Sequence, residues 1–136
     1  MIAETHLRRE LSFSFLQLDL YPVGEDIAAL LSGGARPHIG CTVIALPRPS
    51  LTGDGSASCT SSVVNLTGHK DEALCRRAAE ALCKRYGVTV TCSGGFHKDR
   101  MTPGEIREVL DALREMLEQD LVATPDTDGR ASPCIC

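Results

Sequence analysis

The chain has 136 residues, a length that suits one domain with a single core better than two. Hydrophobic residues make up 43% and charged residues 24%, and the formal net charge of −4 comes with no basic run, so a globular protein is indicated and phosphate neutralisation of nucleic acid is not. Three Phe, two Tyr and no Trp are too few aromatics for a stacking platform on single strands.

The first residues, MIAETHLRRELSF, hold no apolar stretch long enough for a signal peptide. No later segment reaches the roughly 20 apolar residues that span a bilayer. A cytoplasmic protein with no membrane and no nucleic-acid partner is therefore predicted. Seven cysteines, Cys41, Cys59, Cys75, Cys83, Cys92, Cys134 and Cys136, are odd in number and contain no CxxC. Most lie in apolar or helical stretches, which predicts free thiols rather than a disulfide framework.

Residues 10–20, ELSFSFLQLDL, alternate first with Leu11, Phe13 and Phe15 on one face and then with Leu16, Leu18 and Leu20. That phase change predicts a bulged strand or one covered on both sides. Tyr21-Pro22-Val23-Gly24 carries turn chemistry. Residues 26–31 read as a short strand closed by Gly33-Gly34, and 39–46, IGCTVIAL, as a β-branched strand. A loop is predicted over 47–56, with 57–66 returning as the antiparallel partner.

The period then changes. A helix over 71–86 has Leu74, Ala78, Ala81 and Leu82 on its buried stripe and stops at Gly87. Residues 88–92 alternate as a strand. Thr102-Pro103-Gly104-Glu105 reads as a capping box with Pro at the first helical position, opening a helix with Ile106, Val109, Leu110, Leu113, Met116 and Leu117 at 3.6 spacing. The expected organisation is one α+β domain over 8–121, mostly antiparallel, in the order β-β-β-β-α-β-α. Residues 122–136 are expected to form a disordered tail, including Cys134-Ile135-Cys136.

Three histidines sit at element ends: His38 in Pro37-His38-Ile39-Gly40, His69 in Gly68-His69-Lys70-Asp71, and His97 in Gly95-Phe96-His97-Lys98-Asp99. If strands 57–66 and 88–92 share one sheet across the intervening helix, they run parallel and their C-terminal ends meet one edge. The antiparallel hairpin brings the start of strand 39–46 there too, so the three imidazoles should converge. Two helix N-termini, the pairs Gly33-Gly34 and Gly94-Gly95, and Lys70 and Lys98 are expected at the same edge, a combination that favours an anion such as phosphate. Taken singly, each feature also fits an ordinary role: a surface histidine, a glycine turn, a solvated lysine, or a capping aspartate at Asp71 or Asp99.

The same segments, followed by Thr102-Pro103-x-Glu105-Ile106, resemble the LpdD-type prenylated-flavin chaperone domain over roughly residues 8–120. The resemblance implies a fold similar to proteasome-assembly-chaperone domains, a homodimer, and binding of prenylated FMN (or FMN) with handover to a UbiD-type hydroxyarene or gallate decarboxylase. It implies no turnover by the chain itself. The family's glycine and histidine segments fall on Gly34, His38, Gly40, Gly68, His69, Lys70, Asp71, His97 and Asp99. Phe96 stands where the family pattern has a small apolar residue, and it could wall an isoalloxazine ring while Lys98 adds charge.

Two other readings compete. Three imidazoles with an open fourth position could ligate a divalent metal through His38, His69 and His97, with Asp71, Asp99 or Glu105 as general base of a small enzyme. The chain could instead be a structural subunit that scaffolds a partner through a sheet edge or helix face.

Overall fold

The computed structural model describes residues 2–66 and 70–123. Six strands, Thr5–Glu10 (β1), Phe15–Val23 (β2), Asp26–Gly34 (β3), Cys41–Pro49 (β4), Ala57–Asn65 (β5) and Val90–His97 (β6), form one sheet in the order β1-β2-β3-β6-β4-β5. Helix α1, Lys70–Tyr86, connects β5 to β6, and α2, Pro103–Glu115, follows β6. The strands-first, helices-late α+β arrangement is as expected, with one strand more. All pairings are antiparallel except β3 with β6.

Among the described residues, helices cover only one face of the sheet. Helix α1 lies across β4, β5 and β6, while α2 and the turns after it reach β2 and β1. The strands alternate accordingly: Leu16, Leu18, Leu20, Ile27, Ala29, Leu31, Val43, Ala45, Val90 and Cys92 point under the helices and are buried. Leu30, Ile44, Leu46 and Val64 are exposed.

The phase change in residues 10–20 is neither a bulge nor a two-sided strand but a reversal. Residues 5–10 form β1, and the Leu11 N–H donates to the Ser14 carbonyl (2.8 Å) to close the turn into β2. This turn contains no Gly, Pro or Asn. Its N–H and hydroxyl at Ser12 both donate to the Glu108 carboxylate of α2 at 2.6 Å, a partner 96 residues away in the chain. Strand β2 also runs through Pro22, which pairs with Ile27, so its turn falls at Gly24 (φ +62°) and Glu25. The loop expected over 47–56 is shorter, because Pro47, Arg48 and Pro49 remain paired with Cys59, Ser58 and Ala57.

On α1 the buried stripe is Leu74, Cys75, Ala78, Ala79, Leu82 and Cys83, and Ala81 is exposed. The helix turns its thiols toward the sheet, where Cys41 and Cys92 await them. Burial pushes the Cys41 thiol up to about 12 and the Cys83 thiol up to about 11. Hydrogen bonding to Cys92, then burial, raises Cys75 as well. These thiols are protonated small hydrophobes at neutral pH. Cys41, Cys59, Cys75, Cys83 and Cys92 are free; of the disordered tail expected over 122–136, residues 122 and 123 instead belong to the helical turn Leu121–Ala123, and the rest, with Cys134 and Cys136, lies outside the described residues.

Helix α2 starts with the expected capping box: Thr102 accepts from the Glu105 N–H, and Glu105 accepts from the Thr102 N–H. It continues through a π-helical turn at Met116–Asp120 into Leu121–Ala123. At that turn Arg9 of β1 reaches Asp120 (2.7 and 2.8 Å) and Glu115 (2.8 Å), tying the first strand to the last helix. Among the described residues no helix is long and apolar enough to cross a membrane.

The hydrogen bonds from Arg9 hold the Asp120 carboxyl below its ordinary 3.8. A carboxylate lowered in the folded state stabilises above its unfolded value, and that contribution is lost as pH falls through the lowered one. Asp120→Ala should therefore reduce the urea midpoint at pH 7 and reduce it less at pH 3, a narrowing measurable in paired denaturation curves. A gap that stays constant with pH would contradict it.

Candidate functional site

The parallel pairing of β3 with β6 puts the C-terminal ends of both strands, Gly34 and His97, side by side at one edge. Strand β4 runs the other way against β6, so the segment leading into it, including His38 and Gly40, arrives at that edge as well. Helix α1 begins there. The topological expectation holds for the two histidines that can be placed: the rings of His38 and His97 lie edge to face, centroids 5.8 Å apart. Gly68 and His69 lie outside the described residues, and Lys70 is the first residue of α1.

Asp71 organises this rim. It is only 6% exposed, and its Oδ1 accepts from the Phe96 N–H at 2.8 Å while its Oδ2 meets His38 Nε2 at 3.1 Å. His38 Nδ1 lies 3.2 Å from the Arg36 carbonyl. Both partners of the His38 ring, the Asp71 carboxylate and the Arg36 carbonyl, are acceptors. His97 Nε2 meets Asp99 Oδ1 at 3.0 Å, in the open.

The carboxylate fits because two glycines make room. A Cβ on Gly40 would collide with the Asp71 carboxylate, and one on Gly95 would stand 3.0 Å from its Cγ and 2.9 Å from His38 Cε1. Gly34 (φ +83°) leaves no space beside the His97 carbonyl, nor Gly94 beside that of Leu31. Both glycine pairs thus lie inside β3 and β6: Gly33, Gly34 and Gly94 serve close backbone approach, and Gly95 seats the carboxylate and the imidazole. The pairs do not form the anion-binding turns that dipeptide reading suggests.

Two other expectations are modified by the geometry. Lys98 is not a free cation, since its Nζ lies 3.1 Å from Glu105 Oε1 and 5.4 Å above the Phe13 ring. The N-terminus of α2 is occupied by its own capping box, and together the Thr102 N–H and Lys98 lower the Glu105 carboxyl. Phe96 is 5% exposed, its ring turned under the helices and packed edge to face on Phe13 (6.0 Å) rather than presented at the rim.

Among the described residues no three or more His, Cys, Asp or Glu side chains converge as a metal site, and of the proposed trio only His38 and His97 lie within them. Nor, among the described residues, is any hydroxyl or thiol hydrogen-bonded to a histidine, as an activated Ser or Cys would be. What the rim presents is a pair of half-exposed imidazoles on a rigid frame, suited to hydrogen-bonding oxygen atoms of a ligand. Sequence reading missed the Arg36 carbonyl and the seat at Gly95. A carbonyl has no residue signature, and a glycine pair reads first as a turn.

Comparison with known proteins decides the family. A family model described as the prenylated flavin chaperone LpdD-like domain matches residues 14–124. The chain belongs to this family. Its LpdD-like domain therefore takes in every rim residue named above and all strands but β1. No curated protein matches the chain significantly. Among solved structures, the LpdD-like chain is similar to one titled as a novel chaperone complex for yeast 20S proteasome assembly. That match has a TM-score of 0.52 and 15% identity, and it covers 87% of this chain and 94% of the other. At that identity the likeness is one of fold, and it agrees with the α+β architecture expected for the LpdD-like family.

Removing the Asp71 carboxylate leaves the buried Phe96 N–H without its acceptor. Asp71→Ala should cost about 1–3 kcal/mol in chemical denaturation, and Asp71→Asn less, because its amide oxygen still accepts. Gly40→Ala should be destabilising too, since the added methyl and the carboxylate cannot share the site. An Asp71→Ala protein as stable as wild type would refute this account of the rim.

Proposed function

We propose that the chain is a non-catalytic carrier that binds prenylated FMN at the rim and delivers it to a UbiD-type decarboxylase in the cytoplasm. The observation that carries the reading is the meeting of His38 and His97, 5.8 Å apart, at one sheet edge inside the segment that matches a prenylated-flavin chaperone family. In this reading His38 and His97 hydrogen-bond cofactor oxygens, with Asp71 and Asp99 orienting the rings. Gly34 and Gly40 keep the frame tight, and Gly68, His69 and Lys70, consecutive in the sequence up to the first residue of α1, are assigned to the same cofactor-binding set. Phe96 backs it from beneath, and Lys98 closes one side, exchanging Glu105 for a phosphate oxygen when cofactor is bound. A carrier must also let go, so moderate affinity suits it better than very tight binding.

Co-expression with a flavin prenyltransferase tests the proposal. The purified protein should carry a yellow chromophore with the mass of prenylated FMN, and His38→Ala or His97→Ala should retain at most about a tenth as much, the scale of one lost charge-assisted hydrogen bond. Colourless, ligand-free wild-type protein under those conditions would overturn it.

A second copy of the chain is the other partner we infer. The sheet face turned away from the helices carries Leu30, Ile44, Leu46 and Val64 among Ala28, Thr91, Ser93, Thr42, Ser62 and Thr60, with Asp19 opposite Leu30 and Arg48 bonded to Thr60 at its borders. A two-fold contact sets a patch against itself, and the charge-free centre of this one tolerates that where a charged one repels. Sedimentation should show a dimer for wild type and a monomer for Ile44→Asp. A monomeric wild type at tens of micromolar would remove this partner.

A further inference from the structure

Helices α1 and α2 leave an apolar groove of about 170 Å³ between them. Ala73 and Leu74 form one wall, Ile106 and Leu110 the other, with Met101 at one end and the Phe96 ring in the floor. Every residue lining it is apolar. The groove opens to solvent beside Ala73 and Ile106, and an apolar group entering it gains dispersion contacts with the whole lining. The chain could close it with one larger side chain at Ala73, an exposed helical position that imposes no small residue on the fold.

The groove lies next to the rim and shares Phe96 with it. Phe96 belongs to both: its ring floors the groove, and its N–H donates to Asp71, which also holds His38. Ala73 stands two residues beyond Asp71 on α1. A ligand hydrogen-bonded at the imidazoles therefore has an apolar recess beside its polar anchor. Size specifies the occupant. A dry cavity of about 150 Å³ lined by Leu, Ile and Phe takes up benzene, so this groove suits a group of five or six carbons and is too small for a flavin ring system.

We propose that the α1–α2 groove is a prenyl pocket. It receives the five-carbon, prenyl-derived part of the flavin and so selects the prenylated cofactor over FMN. This rests on the carrier reading above and adds to it the feature by which the cargo is recognised. Nothing else along the groove could discriminate, because its walls offer no hydrogen-bonding side chain, and discrimination comes from apolar burial alone.

The test is a pair of titrations of the full-length protein, one with FMN and one with prenylated FMN under anaerobic conditions, followed by flavin fluorescence. Even a single methylene in an apolar pocket can be worth about tenfold or more, so wild type should bind prenylated FMN at least about tenfold more tightly than FMN. Ala73→Leu should abolish that preference by weakening prenylated FMN alone, with FMN affinity kept. Leu110→Phe fills the groove from the opposite wall and should do the same, and circular dichroism with a thermal melt checks that both variants fold. Equal wild-type affinity for the two flavins, or an Ala73→Leu protein that loses both alike, would overturn the prenyl pocket and leave the carrier reading intact. Failure of wild type to bind either flavin would bring down both.

Discussion

The rim depends on one nearly buried carboxylate. A charge withdrawn from water is costly unless hydrogen bonds and favourable dipoles replace its hydration, and Asp71 has the Phe96 N–H, the His38 ring and a place in the first turn of α1. Those contacts bind together three segments far apart in the chain, the approach to β4, the start of α1 and the end of β6. Gly40 and Gly95 are the steric counterpart of the same interaction, since a side chain at either would occupy the space the carboxylate and imidazole need.

Seen this way, the two placed histidines differ in kind. His38 is built into the frame through both ring nitrogens, whereas His97 is oriented only by exposed Asp99 and is the more accessible of the two. Lys98, drawn off to Glu105 and the Phe13 ring, joins the rim to α2. The cap of α2, the β1–β2 turn held by Glu108 and the imidazole pair therefore belong to one connected polar surface along the edge of the sheet.

Much of this was legible in the sequence where the signal was local. The capping box at Thr102–Glu105, the stop at Gly87 and the β-branched run before Leu46 each carry their own physical reason, and each was found where the residues put it. The convergence of His38 and His97 followed from topology alone, because antiparallel and parallel neighbours must deliver their ends to fixed edges. What could not be read were features whose partners are distant. The Leu11–Ser14 reversal is held by Glu108, and in its absence the same residues look like a strand that changes phase. On α1 the stripe expected to include Ala81 passes instead through Cys75 and Cys83, which fill the buried layer while Ala81 is exposed. The glycine pairs read as turns because the groups that demand them, neighbouring backbone at Gly33, Gly34 and Gly94 and the Asp71 and His38 side chains at Gly95, belong to other segments of the chain.

The strand order has a further implication for how the protein comes into being. Strands β1, β2 and β3 form one meander and β4 with β5 one hairpin, but these two halves never touch as strands; β6, late in the chain, slots between them. Until residues 90–97 have left the ribosome, each half exposes an unpaired inner edge, the kind of surface on which chains join one another wrongly. Completing the sheet requires contacts of long sequence separation, so folding should be slow for a domain of this size. The last strand to arrive is also the one that carries His97 and the Phe96 amide. A truncated or stalled chain would thus lack one imidazole of the pair and the amide that Asp71 binds, and only finished protein would display the rim.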